Sequence, residues 1–220
     1  MAPVVENATG SRRLAAAERR RLIEDAATHL FAERGYRATT IDDIVAGAGV
    51  TKPMLYRHFE SKQALVMTLL ERHRDELAAV ALDALLESAD RAFDERLDGM
   101  LEAWFGYVEA HPFVRLLLQD SSGDREVAAL IEGLHDRQRA ADVALLREFA
   151  PHIPERELVP LGEIIRSSLA GLGLWRLEHP EADRANVTGA LRRVVLAIIA
   201  PHGRVASPCP NRSSEGQCPS

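Results

Sequence analysis

Between positions 37 and 62 the chain carries a set of side chains whose chemistry suits duplex DNA: Arg37, Thr40, Thr51, Lys52, Pro53, Met54, Tyr56, Arg57, His58 and Lys62. Lys52 can donate to guanine O6 and N7, and Pro53 and Met54 offer apolar contact to a thymine methyl. The Thr51 and Tyr56 hydroxyls, Arg37 and Lys62 can donate to phosphate oxygens, which fixes register without reading sequence. The chain has only two lysines, Lys52 and Lys62, and both fall in this segment. Their spacing leaves Lys52, Met54, Arg57 and His58 outward while Leu55 and Phe59, four apart, face a core.

The elements that position these groups are two short helices and the start of a long one, within Thr40–Lys62. Thr40 is an N-cap, with Asp43 at the reciprocal position of a capping box. Ile41, Ile44 and Val45 form one apolar face. Gly49 in Ala48-Gly49-Val50 supplies a position that tolerates positive φ, which a tight turn between helices requires. Thr51 is expected to cap the second helix, with Pro53 in its first turn, where a missing N–H costs little. Ser61 caps the next helix, and Lys62 opens it, where its charge and the free N–H groups would hold a phosphate. Helix, glycine turn and helix with a polar outer face make a helix-turn-helix, whose second helix enters the major groove.

The segment resembles the DNA-binding domain of the TetR family of bacterial transcriptional repressors. The matching residues are Ala26, Phe31, Gly35, Tyr36, Thr39, Thr40, Ile41, Ile44, Ala48, Gly49, Val50, Leu55, Tyr56, His58, Phe59, Ser61, Lys62 and Leu65. They cover about the first third of the chain, and the Leu-Tyr-x-His-Phe-x-Ser-Lys run after the turn is narrower than a bare helix-turn-helix pattern. Pro53 stands where many members carry glycine, and Met54 where a small polar residue is common. The resemblance implies an effector-binding helical domain behind the reading head, and a homodimer on a palindromic operator.

Composition agrees with an all-α chain. Of 220 residues, 46% are hydrophobic and only 5% aromatic, with Ala, Leu, Arg and Glu dominant, a mixture that favours helix. No apolar run is long enough for a membrane span, and no signal peptide is read, so a cytoplasmic chain is expected. Residues 1–74 carry a net +3 and the remainder a net −9, giving −6 in all; the field that matters to DNA is local. Cys209 and Cys218 lie in a Pro/Ser/Gly-rich tail and suggest neither disulfide nor metal site. No metal set, cofactor motif or catalytic constellation is visible, so an enzyme is not expected. The alternative from another class is a helical protein-interaction module without sequence-specific DNA binding.

Residues 1–11 are expected to be disordered, 12–62 to form the helix-turn-helix domain, 63–202 a helical effector and dimerisation domain, and 203–220 a disordered tail. The first helix is read as Arg12–Arg34, with a basic front end (Arg12, Arg13, Arg19, Arg20, Arg21), apolar pairs from Leu22/Ile23 onward, and Gly35 as its C-cap. A long helix from Ser61 to about Leu86 is the evident link between the two domains. Further helices are expected over Asp90–His111, Pro112–Gln119, from Asp124 to Phe149, Glu155–Glu178 (with a later start or a kink at Pro160) and Ala182–Ala200.

A pocket for a small apolar or amphipathic effector is expected among Met100, Trp104, Tyr107, Val108, His111, Phe113, Leu117, Leu134, His135, Leu169 and Trp175. Each is also a normal core or helix-end residue. The last two helices carry too much apolar surface for one small domain, which predicts a subunit interface through Leu161, Ile165, Leu169, Leu172, Leu191, Val195 and Ile198 in a four-helix bundle. Gly162, Gly171 and Gly173 each cost about 1 kcal/mol inside a helix, which suggests a close backbone approach.

Overall fold

The computed structural model describes residues 7–87, 91–118 and 124–199, with side chains from 16 onward. Among the described residues it is all-α: α1 (Asn7–Ala38), α2 (Ile41–Ala48), α3 (Lys52–Tyr56), α4 (Lys62–Leu86), α5 (Phe93–Ala110), a 3-10 turn (Pro112–Val114) running into α6 (Arg115–Leu118), α7 (Arg125–Phe149), α8 (Glu155–Glu178) and α9 (Arg184–Ile199). The first helix starts at Asn7, so the expected disorder over residues 1–11 does not hold for residues 7–11. Gly35, at φ 79° and ψ 167°, breaks α1 just before its last residues. The 203–220 tail and the side chains of Arg12 and Arg13 lie outside the described residues.

Local chemistry sets most boundaries. Thr40 accepts from the Asp43 N–H while Asp43 accepts from the Thr40 N–H at 2.8 Å, a complete capping box. Gly49 closes α2 in the left-handed region at φ 64°. Ser61 accepts from the Ala64 N–H at 3.0 Å and opens α4. Asp124 caps α7 through the N–H groups of Glu126 and Val127. Thr51 occupies the N-cap position of α3 without using its hydroxyl as a cap. α8 runs through Pro160 without interruption.

Helices α1 to α3 form a small head around Ile23, Ala27, Phe31, Ile44, Leu55 and Phe59, closed by Leu65 and Val66 at the start of α4. Leu22, predicted to share that core, points to solvent. α4 then crosses into the body, where it packs mainly on α5, with α7, α8 and α9 around them. It is not the only link. The 3-10 turn and α6 also pack on α1, with the Phe31 and Phe113 rings 6.3 Å apart.

Two buried polar clusters hold these parts in register. Glu24 on α1, only 7% exposed, takes Arg20 at 2.8 Å and Arg72 of α4 at 2.7 Å. One turn along, the Tyr107 hydroxyl of α5 donates to Glu76 at 2.5 Å and accepts at 2.7 Å from Nδ1 of the buried His73. With the Tyr107 proton on Glu76, the His73 proton must sit on Nδ1. Its Nε2 is then an acceptor, buried without a partner among the described residues.

Burial, then the charge of Arg72, push the His73 pKa down to about 4, against the pull of Glu76. The folded protein therefore favours neutral His73. Its contribution is full above the unfolded value of about 6.5 and is lost as pH falls towards 4, because only the unfolded chain binds the proton in that window. Wild type should lose roughly 2–3 kcal/mol more stability between pH 7 and pH 4 than His73→Gln does. Urea melts at several pH values measure this; parallel losses would mean that His73 is charged in the fold.

Candidate nucleic-acid interface and effector cavity

The exposed face of the head gathers the predicted reading residues. Thr51, Lys52, Pro53, Tyr56 and Arg57 are exposed around α3, while Met54 and His58 are half-buried on its flanks. Leu55 and Phe59 are buried beneath them and fix the helix on the head. Thr40 and Arg37 are exposed on the adjoining linker. Lys52 is held at 2.8 Å by Asp42 of α2, which raises its pKa through that hydrogen bond. Both groups are exposed, so a guanine edge can replace the carboxylate at little cost. The His58 pKa is depressed by burial and then by Arg20, Arg57 and Arg19, which places a concentration of positive charge beside α3. Of the basic front end, Arg20 is already committed, paired with Glu24 and lying 4.7 Å over the Phe59 ring.

Lys62 departs from expectation. Its ammonium donates to the carbonyls of Tyr36 at 2.9 Å and Thr39 at 3.0 Å, and sits 4.1 Å from the Tyr36 ring centroid. Burial depresses its pKa. Two of its three donors are thus satisfied internally, on the strand of chain between α1 and α2. Thr39 is buried in the same linker and donates to the carbonyls of Leu30 and Gly35. Lys62 therefore positions the helix-turn-helix against α4 and is not a free phosphate donor. Residue type and helix-start position gave no sign of this, because the partner carbonyls are 23 and 26 residues away.

The second candidate region is a cavity of about 240 Å³ lined by α4, α5, α6, α7, α8 and α9. Six predicted residues line it: Met100, Trp104, Leu117, Leu134, His135 and Leu169. Five do not. Tyr107 is spent on His73 and Glu76, and Val108 is plain core. His111 caps its own helix end through the Tyr107 carbonyl at 2.9 Å. Phe113 lines a separate crevice with Phe31 and Gly35 at the seam with the head. Trp175 points outward, 39% exposed and stacked on His179 at 4.5 Å.

The missed walls are mainly Leu77, Ala78, Ala81 and Leu85 of α4, and Leu145, Leu146 and Phe149 of α7. Their apolar periodicity gives the same signal as ordinary core. The missed polar residues are Arg74, Gln138 and Asp142; Arg166, which with Arg176 is readable from the sequence as a candidate for an acidic effector or a carboxylate partner, also lines it. Arg166 pairs with Glu163. Arg176 is buried, holding Glu109 at 2.9 Å and the carbonyls of His179 and Ala182.

The predicted subunit face also needs correction. Leu191 and Val195 are buried in this chain's own core, at 1% and 5% exposure. Ile165 and Leu169 line the cavity. Leu161, Leu172 and Ile198 are half-buried at the edge of the core. The large apolar residues left exposed on these two helices are Val159, Ile164 and Trp175 on α8 and Val194 on α9; Ile164, Gly171 and Trp175 share one stripe of α8.

The two lysines should separate by experiment. Lys62→Met should destabilise the fold by about 1–2 kcal/mol, the scale of charged hydrogen bonds that are partly solvated, and so lower the melting temperature. Lys52→Ala should leave the melting temperature unchanged and reduce discrimination between matched and mismatched DNA about tenfold or more. An unchanged Lys62→Met melt with a shallower salt slope of DNA binding would return Lys62 to the phosphate contacts.

Comparisons with known proteins agree with this geometry. Residues 23–68 match the model of bacterial regulatory proteins of the tetR family, and residues 92–197 match that of a tetracyclin repressor-like C-terminal domain. The chain is 40% identical over 107 residues to the HTH-type transcriptional activator FasR of Mycolicibacterium smegmatis, covering 49% of this chain and 48% of that protein. It is 36% identical over 133 residues to the HTH-type transcriptional repressor KstR2 of Mycobacterium tuberculosis, covering 59% and 66%. The matches thus span about half to two thirds of the length of these curated relatives. A TetR-like transcriptional regulator from Rhodococcus sp. RHA1 superposes with a TM-score of 0.66 at 20% identity, covering 83% of this chain and 97% of that one. These are regulators, not enzymes. With both halves matched, and with a helix-turn-helix head on an all-α body, the chain belongs to the TetR family of DNA-binding transcriptional regulators.

Proposed function

We propose that this chain is a homodimeric repressor that binds a palindromic operator and is released from it by a small apolar or amphipathic effector. The observation that carries this reading is that one helix serves both regions. α4 closes the core of the head at Leu65 and Val66 and walls the cavity at Leu77, Ala78 and Ala81. A ligand that shifts α4 within the body also shifts the head. Two heads must present α3 about 34–36 Å apart to meet successive major grooves, and a ligand that favours another spacing weakens binding. A coupling of about 1–3 kcal/mol is ordinary for such linkage.

One α3 helix makes too few contacts for useful specificity, which favours a dimer. The exposed stripe of Ile164, Gly171, Trp175 and Val194 is the face that a second copy would cover. A Cβ added at Gly171 meets nothing within 4 Å in this chain, so internal packing does not require the glycine, and it leaves room for a second copy to approach closely. DNA, a second copy of the chain and the effector are then the partners, with no cofactor.

Fluorescence anisotropy on the DNA upstream of the chain's own gene, with scrambled competitor at two salt concentrations, tests the operator reading. Competitor-resistant binding with a steep salt dependence is expected; equal binding to scrambled DNA, or a shallow slope, would favour a protein-interaction module. Ile164→Glu should leave the monomer folded, because Ile164 is 49% exposed, but convert dimer to monomer in sedimentation equilibrium. A dimer unaffected by that change would place the subunit contact elsewhere.

A further inference from the structure

The cavity has two ends. Arg137, midway along α7, approaches Glu71 in the third turn of α4 at 3.8 Å, and α4 enters the body from the head, so the end bounded by Arg74, Leu134 and His135 lies towards the head. At the far end the Phe93 and Phe149 rings are 5.2 Å apart, and Arg96 donates to the Leu85 carbonyl at 2.8 Å. Between the ends the walls are mainly apolar, interrupted by Gln138, Asp142 and Arg166.

The polar groups on the lining differ in what they leave unmet. His135 is bonded through Nε2 to the Leu117 carbonyl at 3.0 Å. Gln138 donates to Asp142 at 2.9 Å. Arg166 is taken by Glu163. Arg74 has one edge of its guanidinium on the exposed Asp75 at 2.5 Å, but its Nε–H is buried with no hydrogen-bond partner among the described residues. Asp75 is itself exposed, so the guanidinium can turn from it to an acceptor in the cavity at little cost.

We propose that the cavity takes an elongated amphipathic ligand with an acidic head group, its head accepting from Arg74 and its apolar tail running towards Phe93 and Phe149. This rests on the effector reading above and names the ligand's class. The competing anchor is Asp142, which would select an amine. That carboxyl is already taken by the Gln138 amide at 2.9 Å, and burial, its largest influence, raises its pKa and so disfavours the charge that an amine needs. The placement also gives the ligand its lever. Arg74 lies on the turn of α4 that holds Glu24 of α1 through Arg72, so an anion drawn to Arg74 acts on the turn that fixes the head.

The test is a chain-matched trio, decanoate, decanol and decylamine, titrated without DNA below their aggregation thresholds. Binding is followed by calorimetry and by the emission of Trp104, isolated with Trp175→Phe. Decanoate should bind about tenfold or more tighter than decanol, the scale of a charged hydrogen bond. Arg74→Gln, with its fold checked by circular dichroism, should remove that preference and leave decanol binding unchanged. Preference for decylamine would give the anchor to Asp142 and overturn the proposal. So would equal binding of all three, or no binding by a folded protein. Arg74-dependent decanoate binding that fails to release DNA would leave this site standing and defeat the effector reading alone.

Discussion

The relation of head to body depends on a buried carboxylate. Glu24 lies in the interior of the α1–α4 contact, where an uncompensated charge would cost several kcal/mol. It is tolerable only because Arg20 and Arg72 reach it from two helices. The pairing therefore constrains position as much as it contributes energy: α4 cannot slide along α1 without stranding a charge. Arg72 also lies 3.8 Å from Glu76, which accepts a hydrogen bond from the Tyr107 hydroxyl, and Tyr107 in turn holds His73. A continuous polar path thus runs from α1 through one stretch of α4 to α5, inside an otherwise apolar core. Such a network has a small number of satisfied arrangements, which is what a two-state element needs.

The head itself is fixed by short-range devices and one long-range contact. The capping box at Thr40, the left-handed Gly49 and the buried Leu55 give α2 and α3 one geometry. Lys62 adds what these cannot. Spanning from the first turn of α4 to the linker before α2, it ties the reading unit to the helix that leaves it. The second contact, of the 3-10 turn and α6 on α1, braces the opposite side. The head is thus held to the body at two places, by α4 and by the 3-10 turn and α6.

What the sequence made legible was local. Thr40, Gly49, Ser61 and Asp124 mark helix ends through bonds made within four residues, and all four mark them in the fold. Period told which positions on each helix were apolar. It did not tell which neighbour each stripe meets. α8 is apolar around more than one face, so Trp175, Leu169 and Leu161 looked equivalent, whereas they point outward, into the cavity and to the core edge. By the same signal Leu191 and Val195 suit a partner's surface, whereas α9 packs on α5 and buries both, Val195 against the cavity. Lys62 and Arg74 illustrate the reverse failure. Charged side chains are taken as solvated by type, and the two that matter most here are those whose surroundings come from helices distant in sequence.

Gly173 packs directly beneath Trp104: a Cβ at that position would stand 2.6 Å from the ring. The ring is hemmed on another side by Phe105, 5.0 Å away edge-on, and opens onto the cavity. Any side chain at 173 would have to be accommodated by moving the indole into the empty volume. One methyl group on α8 would thus act as a tethered occupant of a site it does not line. The size and shape of the cavity are therefore open to change by a substitution at a residue that does not line it. On the effector reading proposed above, this is a short mutational route by which a lineage passes from one effector to another while the reading head stays as it is.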